Sequence, residues 1–249
     1  GEHPDFEDYR SSKRRLFSSH DAKTAVYNAD DPAAEFMLDG FAGQRVSYGI
    51  RCQADYNAYD LSRYRTATTL GVDFYCRKGN RTEHVHLMSP GMFSVYNGLA
   101  AIAVCELFGI SRDFSARVLQ DTPVQGRFEV VPGIPGRTFI IDYAHNGLSL
   151  TNALKTLREY DPGRLICVFG SVGGRTKGRR KELAQAASAL ADYCIITSDN
   201  PDFEAPGDVV NDIASYMEVD SNYECIIDRR TAIFRAVQMA QDGDIILFA

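Results

Sequence analysis

The chain has 249 residues, of which 45% are hydrophobic and 24% are charged. This composition predicts a globular protein with one large or two ordinary domains. The formal net charge of −6 argues against non-specific binding to nucleic acid or to an anionic membrane, although a local basic cluster can still hold a phosphate. No signal segment is evident and no apolar run approaches the roughly 18 to 20 residues that cross a bilayer, so we expect neither secretion nor a membrane span.

The six cysteines are scattered, form no CxxC pair and lie mostly in apolar runs. This pattern favours buried thiols over disulfides or metal ligands. Reduced thiols are typical of the cytoplasm, which is where we expect the protein to act.

The first half of the chain has a less regular pattern than the second half. The pattern predicts a strand over 24–28, a β-rich stretch over 58–77, and helices over 93–108 and 112–120. The alanine-rich part of the first of these helices is expected to be buried.

From about residue 137, apolar strands alternate with segments of helical spacing, which predicts a doubly wound α/β unit. The expected strands are 138–142, 165–169, 193–197, 224–227 and 244–248, and the expected helices are 148–160, 178–191, 206–218 and 230–241. Proline and glycine concentrate before this unit, so we place a boundary near Gly126 and predict two domains, 1–126 and 127–249. Ligands of such sheets bind where strands end and helices begin.

A glycine-rich segment, Phe-Gly-Ser-Val-Gly-Gly-Arg-Thr-Lys-Gly-Arg-Arg over 169–180, leads from a strand end into a basic helix. Glycines let the backbone approach a ligand, and a helix N-terminus favours anions. Arg175 and Lys177 are therefore candidates for contacts with phosphate or carboxylate oxygens. The alternative is a flexible turn followed by a solvated basic face. The segment does not have the Walker pattern of a P-loop.

A second strand end carries Asp142, Tyr143 and His145. Asp142 can accept hydrogen bonds from ribose hydroxyls, and His145 or Tyr143 can line a nucleotide site. The alternative is a helix cap beside a surface ring.

A third strand end carries Asp199, Asp202 and Glu204. Three carboxylates in one loop can hold an ammonium group, or they can form an acidic loop in which Glu204 helps to start a helix. Elsewhere, His84 and His86 alternate on a predicted strand, but the sequence shows no third ligand that would make them a metal site.

In this order and spacing, the three strand-end segments resemble the C-terminal domain of the Mur ligases. This is the ATP-dependent family that joins amino acids to the UDP-linked precursor of the bacterial cell wall. Its members have an Asp-Tyr-Ala-His segment, a Phe-Gly-x-x-Gly-x-Arg-x-Lys-Gly loop and an Asp-Asn-Pro loop, and the resemblance is strongest to those that add the third residue of the wall peptide. The resemblance implies an α/β fold, with a partial central ATPase-type domain followed by a Rossmann-like C-terminal domain.

Segments of the first half agree with the resemblance. The segment from Tyr9 to Lys13 is similar to a family helix whose lysine is carbamylated and helps to hold magnesium, and Lys13 is the matching position. Asn97 matches an asparagine expected near adenine, and Arg127 matches the Gly-Arg segment at the domain junction.

By this resemblance, the protein phosphorylates the terminal carboxylate of its precursor with ATP, and an amine then attacks the acyl phosphate. Such catalysis is chiefly positioning and neutralisation of charge. The implied cofactors are ATP and Mg²⁺, and the implied partners are a UDP-MurNAc-dipeptide and a diamino acid. The implied roles are magnesium binding for Lys13; nucleotide binding for Asn97, Arg127, Asp142 and His145; contacts with anionic groups of the substrate or intermediate for Arg175 and Lys177; and amino-acid binding for Asp199, Asn200 and Asp202.

The sequence departs from the family pattern in two ways, at its two ends and at the residue after Asp-Asn-Pro. The family's P-loop and N-terminal domain would precede residue 1 and its Gly-Lys-Gly-His-Glu segment would follow Ala249, so we expect the sequence to be part of a longer chain and to be inactive by itself. In members that add meso-diaminopimelate, an arginine follows Asp-Asn-Pro and pairs with the distal carboxylate, whereas this chain has Asp202. An anion there favours a bare ammonium group, and hence L-lysine or ornithine.

Three other functions compete with this interpretation. A folylpolyglutamate synthase also works through an acyl phosphate, but the Asp-Asn-Pro loop argues against it. A non-catalytic module that binds a nucleotide or a partner would lack the P-loop. A dinucleotide oxidoreductase is disfavoured because no Gly-x-Gly-x-x-Gly segment follows the first strand of the α/β unit.

Overall fold

The computed structural model describes residues 5–18, 22–122, 124–174 and 177–249. Arg175, one of the predicted catalytic residues, lies outside the described residues. Contacts divide the chain into two compact units. Unit 1 comprises the described residues of 1–62, 72–87 and 92–122, and unit 2 those of 63–71, 88–91 and 123–249. The boundary near Gly126 stays a prediction.

A five-stranded sheet of order β1-β2-β3-β4-β5 belongs mostly to unit 1. Its strands are β1 (Thr24–Asn28), β2 (Gln44–Gly49), β3 (Tyr56–Arg65), β4 (Leu70–Lys78) and β5 (Arg81–Leu87). The helices of the unit are α1 (Phe6–Ser18), α2 (Ala34–Leu38), α3 (Met92–Leu107) and α4 (Arg112–Gln120). Val95, Leu99 and Ile102 recur at helical spacing on one face of α3, which is why that face packs into the core of the sheet.

A turn of unit 1, residues 50–52, is organised by the carboxylate of Asp30. It accepts backbone N–H groups of Ile50, Arg51 and Cys52 at 2.7 to 3.2 Å and the hydroxyl of Tyr96 at 2.9 Å. Burial raises the pKa of Asp30, but these donors outweigh it and hold the pKa well below its ordinary value. Asp30 therefore fixes the end of β2 to the end of β1.

Unit 2 is a three-layer α/β/α structure around a six-stranded sheet of order β10-β9-β8-β11-β7-β6. Its strands are β6 (Glu129–Val131), β7 (Thr138–Ile141), β8 (Leu165–Phe169), β9 (Tyr193–Ile196), β10 (Tyr223–Cys225) and β11 (Ile245–Phe248). Strands β7 to β11 pair in parallel, and β6 is antiparallel to β7. The helices are α5 (Gly147–Arg158), α6 (Lys177–Leu190), α7 (Pro206–Ala214) and α8 (Arg229–Met239).

Both faces of this sheet are covered, as expected for parallel strands. Side chains of β8 alternate between the two faces, with Leu165, Cys167 and Phe169 in the core beside α5, α6 and α7. Ile166 and Val168 point into the core beside α8. The predicted doubly wound α/β unit is confirmed, and the predicted strands and helices of 138–248 are present with ends shifted by a few residues.

The six cysteines are free thiols, as predicted. Burial raises the pKa of the Cys76 and Cys194 thiols to about 12. The expectation of burial is wrong for Cys52 and Cys225, which are exposed. In the described part of the chain, the helices are too short or too polar to cross a membrane.

Candidate functional site

A pocket of about 400 Å³ opens at the carboxyl edge of the parallel sheet in unit 2. The register brings its walls together, because Phe248 pairs with both Ile141 and Val168, so that β7, β8 and β11 end at the same level. The residues that line the pocket are Asp142, Tyr143, Ala144, His145, Gly170, Ser171, Val172, Arg179, Asp199, Arg229 and Ala249. The three segments selected from the sequence therefore meet at one site, each at the end of a different strand.

Asp142 lies half-buried at the end of β7. Its carboxylate accepts the backbone N–H of Phe128 at 3.0 Å, and its own N–H donates to the carbonyl of Phe248 at 2.9 Å. Burial is the main reason that the pKa of Asp142 is raised, and the nearby backbone donors and Arg127 oppose it. One carboxylate oxygen thus has a structural partner.

Tyr143 and His145 form a small aromatic group at the mouth of the pocket. Their ring centroids are 5.1 Å apart, and His145 Nδ1 lies 3.0 Å from the carbonyl oxygen of Tyr143. The guanidinium of Arg127 lies 4.5 Å from the centre of the Tyr143 ring. Three of the predicted nucleotide-binding positions, Asp142, His145 and Arg127, are therefore close together. The helix cap of α5 is Asn146, which forms a capping box with Ser149.

The glycine-rich loop, residues 170–174, packs directly against the loop 199–204. The N–H of Gly173 donates to the carbonyl of Asn200 at 2.8 Å. A Cβ atom on Gly173 would lie 1.8 Å from the carbonyl oxygen of Pro201, and one on Gly170 would lie 2.5 Å from that of Thr197. Only glycine permits this approach, so the glycines serve loop contact as well as ligand access.

Arg180 is buried beneath these loops, with 2% of its side chain exposed. It donates to Glu204 at 2.5 Å and to Asp212 at 2.8 Å. Glu204 also accepts the N–H of Gly174 at 2.8 Å. The alternative interpretation, a solvated basic face, therefore does not hold at Arg180. Glu204 contacts the glycine-rich loop, and among the described residues no side chain caps α7.

The pocket also contains two cations that sequence reasoning missed, Arg179 and Arg229. Arg229 donates to the carbonyl oxygens of Ala249 at 3.0 Å and Ser198 at 3.5 Å, and so ties the ends of β11 and β9 together. Its signal in the sequence was its place at the start of a helix, in the connection that follows β10. With Asp142 and Asp199, these arginines give the pocket charges of both signs, which suits a ligand that carries both.

The other predicted site residues of unit 2 lie around the loops. Lys177 is the exposed first residue of α6, and Asn200 and Asp202 are exposed in the loop 199–204. Asp202 has a φ of +52°, and its carboxylate lies against Gly174, where a Cβ would be 2.5 Å from Oδ2. Asn200 supports this turn through a 3.4 Å bond from the Asp202 N–H to its side-chain oxygen.

Two predicted site residues belong to unit 1. Lys13 is exposed on α1, with its ammonium 5.4 Å from the centre of the Tyr9 ring, and Asn97 is exposed on α3. Within the described ranges, no group of three His, Cys, Asp or Glu residues can hold a metal ion. The magnesium role of Lys13 stays a prediction, and we assign no step to a metal.

His84 and His86 share one face of β5, as their alternation predicts. Both rings lie beside one carboxylate oxygen of Asp73 on β4, with N···O distances of 3.1 Å for His84 and 2.9 Å for His86. Asp73 pairs directly with His86 across the two strands. This group is a hydrogen-bonded cross-strand cluster.

Comparison with known proteins agrees with the architecture and the motifs. Residues 1–105 match the Mur ligase middle domain, and residues 126–249 match the Mur ligase, glutamate ligase domain. The chain belongs to the Mur ligase family and contains parts of its middle and C-terminal domains.

Among its relatives are two enzymes named UDP-N-acetylmuramoyl-L-alanyl-D-glutamate-2,6-diaminopimelate ligase. The enzyme of Caldanaerobacter subterraneus subsp. tengcongensis is 37% identical over 99% of this chain and 50% of its own length. That of Clostridioides difficile is 35% identical over 98% of this chain and 51% of its own length. A solved structure of a ligase of the same name is 31% identical, with a TM-score of 0.66, and matches 99% of this chain and 51% of that chain. The chain thus spans about half the length of these relatives.

Proposed function

We propose that the protein containing this chain is an ATP-dependent ligase that adds a diamino acid to UDP-MurNAc-L-Ala-D-Glu in peptidoglycan synthesis. The observation that carries the proposal is the meeting of three strand-end segments in one pocket of mixed charge. Such a pocket suits an amino acid, which bears both an ammonium and a carboxylate. The names of the relatives support the same reaction class.

In this reaction one oxygen of the dipeptide's terminal carboxylate forms a bond to the γ-phosphorus of ATP, and the bond from that phosphorus to the bridging oxygen of the β-phosphate breaks as ADP leaves. The amine of the incoming amino acid then attacks the acyl carbon, loses a proton, and displaces phosphate that carries that oxygen. No enzyme nucleophile is required. The task of the chain is to align the reactants and to balance the developing charge.

The residues of the site divide into three groups by this proposal. Asp142, His145 and Arg127 form the nucleotide side in unit 2. Asn97 keeps the nucleotide role that the family resemblance implies. Arg175 and Lys177 contact anionic groups of the substrate or intermediate. Asp199, Asn200 and Asp202 receive the amino acid. Lys13 is assigned to magnesium by family resemblance alone, since the described residues around it supply no carboxylate cluster. Action in the cytoplasm, without nucleic acid, remains part of the proposal.

For the added amino acid, we propose L-lysine or ornithine, because Asp202 stands where an arginine would pair with the distal carboxylate of diaminopimelate. The exposed carboxylate of Asp202, placed against Gly174, supports this preference, since it would repel a second anion. The names of the relatives favour diaminopimelate instead. The two alternatives differ in one measurable property, the amino acid consumed.

The proposal is tested by ADP release from the full-length protein with UDP-MurNAc-L-Ala-D-Glu, offering lysine, ornithine and meso-diaminopimelate separately. ADP release that needs lysine or ornithine supports both the ligase proposal and the role of Asp202 in selecting the amino acid. Asp202→Arg should then shift the preference toward diaminopimelate. Release with diaminopimelate alone keeps the ligase and removes the role of Asp202. Absence of release with all three amino acids would refute the ligase proposal.

A further inference from the structure

Arg180 is a buried cation directly beneath the two loops of the candidate site. It shares one face of α6 with Leu183, Ala184 and Ala187, which are buried in the core. A buried guanidinium is costly unless carboxylates pair with it. Arg180 has two such partners, Glu204 and Asp212. The other contacts of these two carboxylates indicate which parts of the site Arg180 holds in place.

The two carboxylates differ in what else they contact. Glu204 Oε1 accepts from Arg180 and also from the backbone N–H of Gly174, at 2.5 and 2.8 Å. Glu204 thus joins the buried cation to the glycine-rich loop. Asp212 lies on α7 and bonds Arg180 at 2.8 Å, which anchors that helix to α6.

The same two loops touch at a second point, independent of Arg180. Gly173 donates its N–H to the carbonyl of Asn200, and a Cβ on Gly173 would lie 1.8 Å from the carbonyl oxygen of Pro201. Val172 and Asp199, which neighbour these contacts, line the pocket. A shift of one loop against the other therefore changes the shape of the pocket.

We propose that Arg180 is a positioning residue: through Glu204 it holds the N–H of Gly174, and so fixes the glycine-rich loop against the loop that receives the incoming amino acid. This inference rests on the proposed function. It assigns Arg180 and Glu204 no contact with the reacting atoms. Loosening the pair should weaken productive binding of the amino acid and leave the use of ATP nearly unchanged.

Glu204→Gln and Asp212→Asn form a matched pair for the test. Each replaces one carboxylate partner of Arg180 by a neutral amide, but only the first alters the acceptor of Gly174. A neutral acceptor bonds roughly half as strongly as a charged one, so we expect about tenfold faster hydrogen exchange at the Gly174 amide in Glu204→Gln. In Asp212→Asn, the exchange rate of the Gly174 amide should stay within about twofold of the wild-type rate. The thermal stability of both variants is measured as well.

The kinetic test compares the change in KM for the diamino acid with the change in KM for ATP, both measured on the full-length protein. Glu204→Gln should raise KM for the diamino acid by about tenfold and KM for ATP by less than about twofold, and Asp212→Asn should change neither. Arg180→Lys keeps the positive charge, but a lysine cannot bond both carboxylates, so this variant should give the same result as Glu204→Gln. If Glu204→Gln does not fold, Arg180→Lys takes its place in the test.

Equal Gly174 exchange in the two variants would overturn the inference, and so would faster exchange with an unchanged KM for the amino acid. Failure of the proposed function gives a different result. The wild type would then form no product with any amino acid, while the exchange comparison would still decide whether Glu204 holds Gly174.

Discussion

At the scale of single residues, Gly173 shows how backbone contact shapes the site. An alanine Cβ there would lie 1.8 Å from the carbonyl oxygen of Pro201, so Gly173→Ala must push the two loops apart. We expect a loss of about 2 kcal/mol in the free energy of unfolding, measured in urea. Gly178→Ala in α6 is the control, because among the described residues a Cβ there meets nothing within 4 Å. Equal stability of the two variants would contradict the packing described.

Asp30 provides a second residue-scale prediction, in unit 1. Asp30→Asn places an amide nitrogen among backbone donors, and we expect it to lower the free energy of unfolding by about 2 kcal/mol at neutral pH. Glu35→Gln, at an exposed position, removes the same charge and should change stability little. Urea unfolding of both variants measures the difference.

The pH dependence of the Asp30 effect has a defined sign. The folded-state pKa lies below the ordinary 3.8, so the stabilisation is fully present above that value and is lost as the pH falls through the folded pKa. The gap between wild type and Asp30→Asn should therefore shrink below about pH 4. A gap that persists unchanged at pH 2 would show that the carboxylate is not the cause.

Individual residues also show the limits of sequence reasoning at the site. The segments with Asp142, His145 and Asp199 were found because each follows an apolar strand, and the pocket includes all three. Arg180 was missed because only Arg175 and Lys177 of the basic run were selected as candidates, for contacts with anions, and the alternative was a solvated face. Its spacing to Leu183 and Ala184 placed it on the buried face of α6, but its carboxylate partners, Glu204 and Asp212, lie 24 and 32 residues further along the chain.

At the scale of elements, helix caps determine how the polar strand ends are presented. Asn146 caps α5 immediately after Tyr143 and His145, and Asn146→Ala should cost about 1 kcal/mol of stability. The N-cap residue of α7 is Ala205, which has no side chain that can accept a hydrogen bond, so Ala205→Ser should gain up to about 1 kcal/mol. Thermal unfolding of the two variants should move in opposite directions. Shifts of the same sign would contradict this account of the caps.

The elements that the hydrophobic pattern did not predict include α2, β2 and β6. Helix α2 has five residues and β6 has three, so neither presents enough residues to establish a period. Strand β6 forms because it pairs with β7, and this pairing cannot be predicted from the residues of β6 alone. In contrast, β8 has five consecutive buried apolar residues and was predicted with the observed ends.

At the scale of the whole molecule, the chain combines parts of two Mur ligase domains and spans about half the length of its relatives. The family was identifiable from sequence because three motifs occur in order, each after a strand. The geometry of the pocket could not be predicted from sequence, because it depends on which strands are neighbours in the sheet. Strand β11, the last described strand, lies between β8 and β7.

The central claim is that this protein activates a carboxylate as an acyl phosphate before an amine attacks it. The most direct measurement uses full-length protein, ATP, the diamino acid and UDP-MurNAc-L-Ala-D-Glu labelled with ¹⁸O in the terminal carboxylate. The account predicts that each phosphate released carries one ¹⁸O atom, because the amine displaces phosphate together with a carboxylate oxygen. Phosphate without the label, formed alongside the amide product, would contradict it.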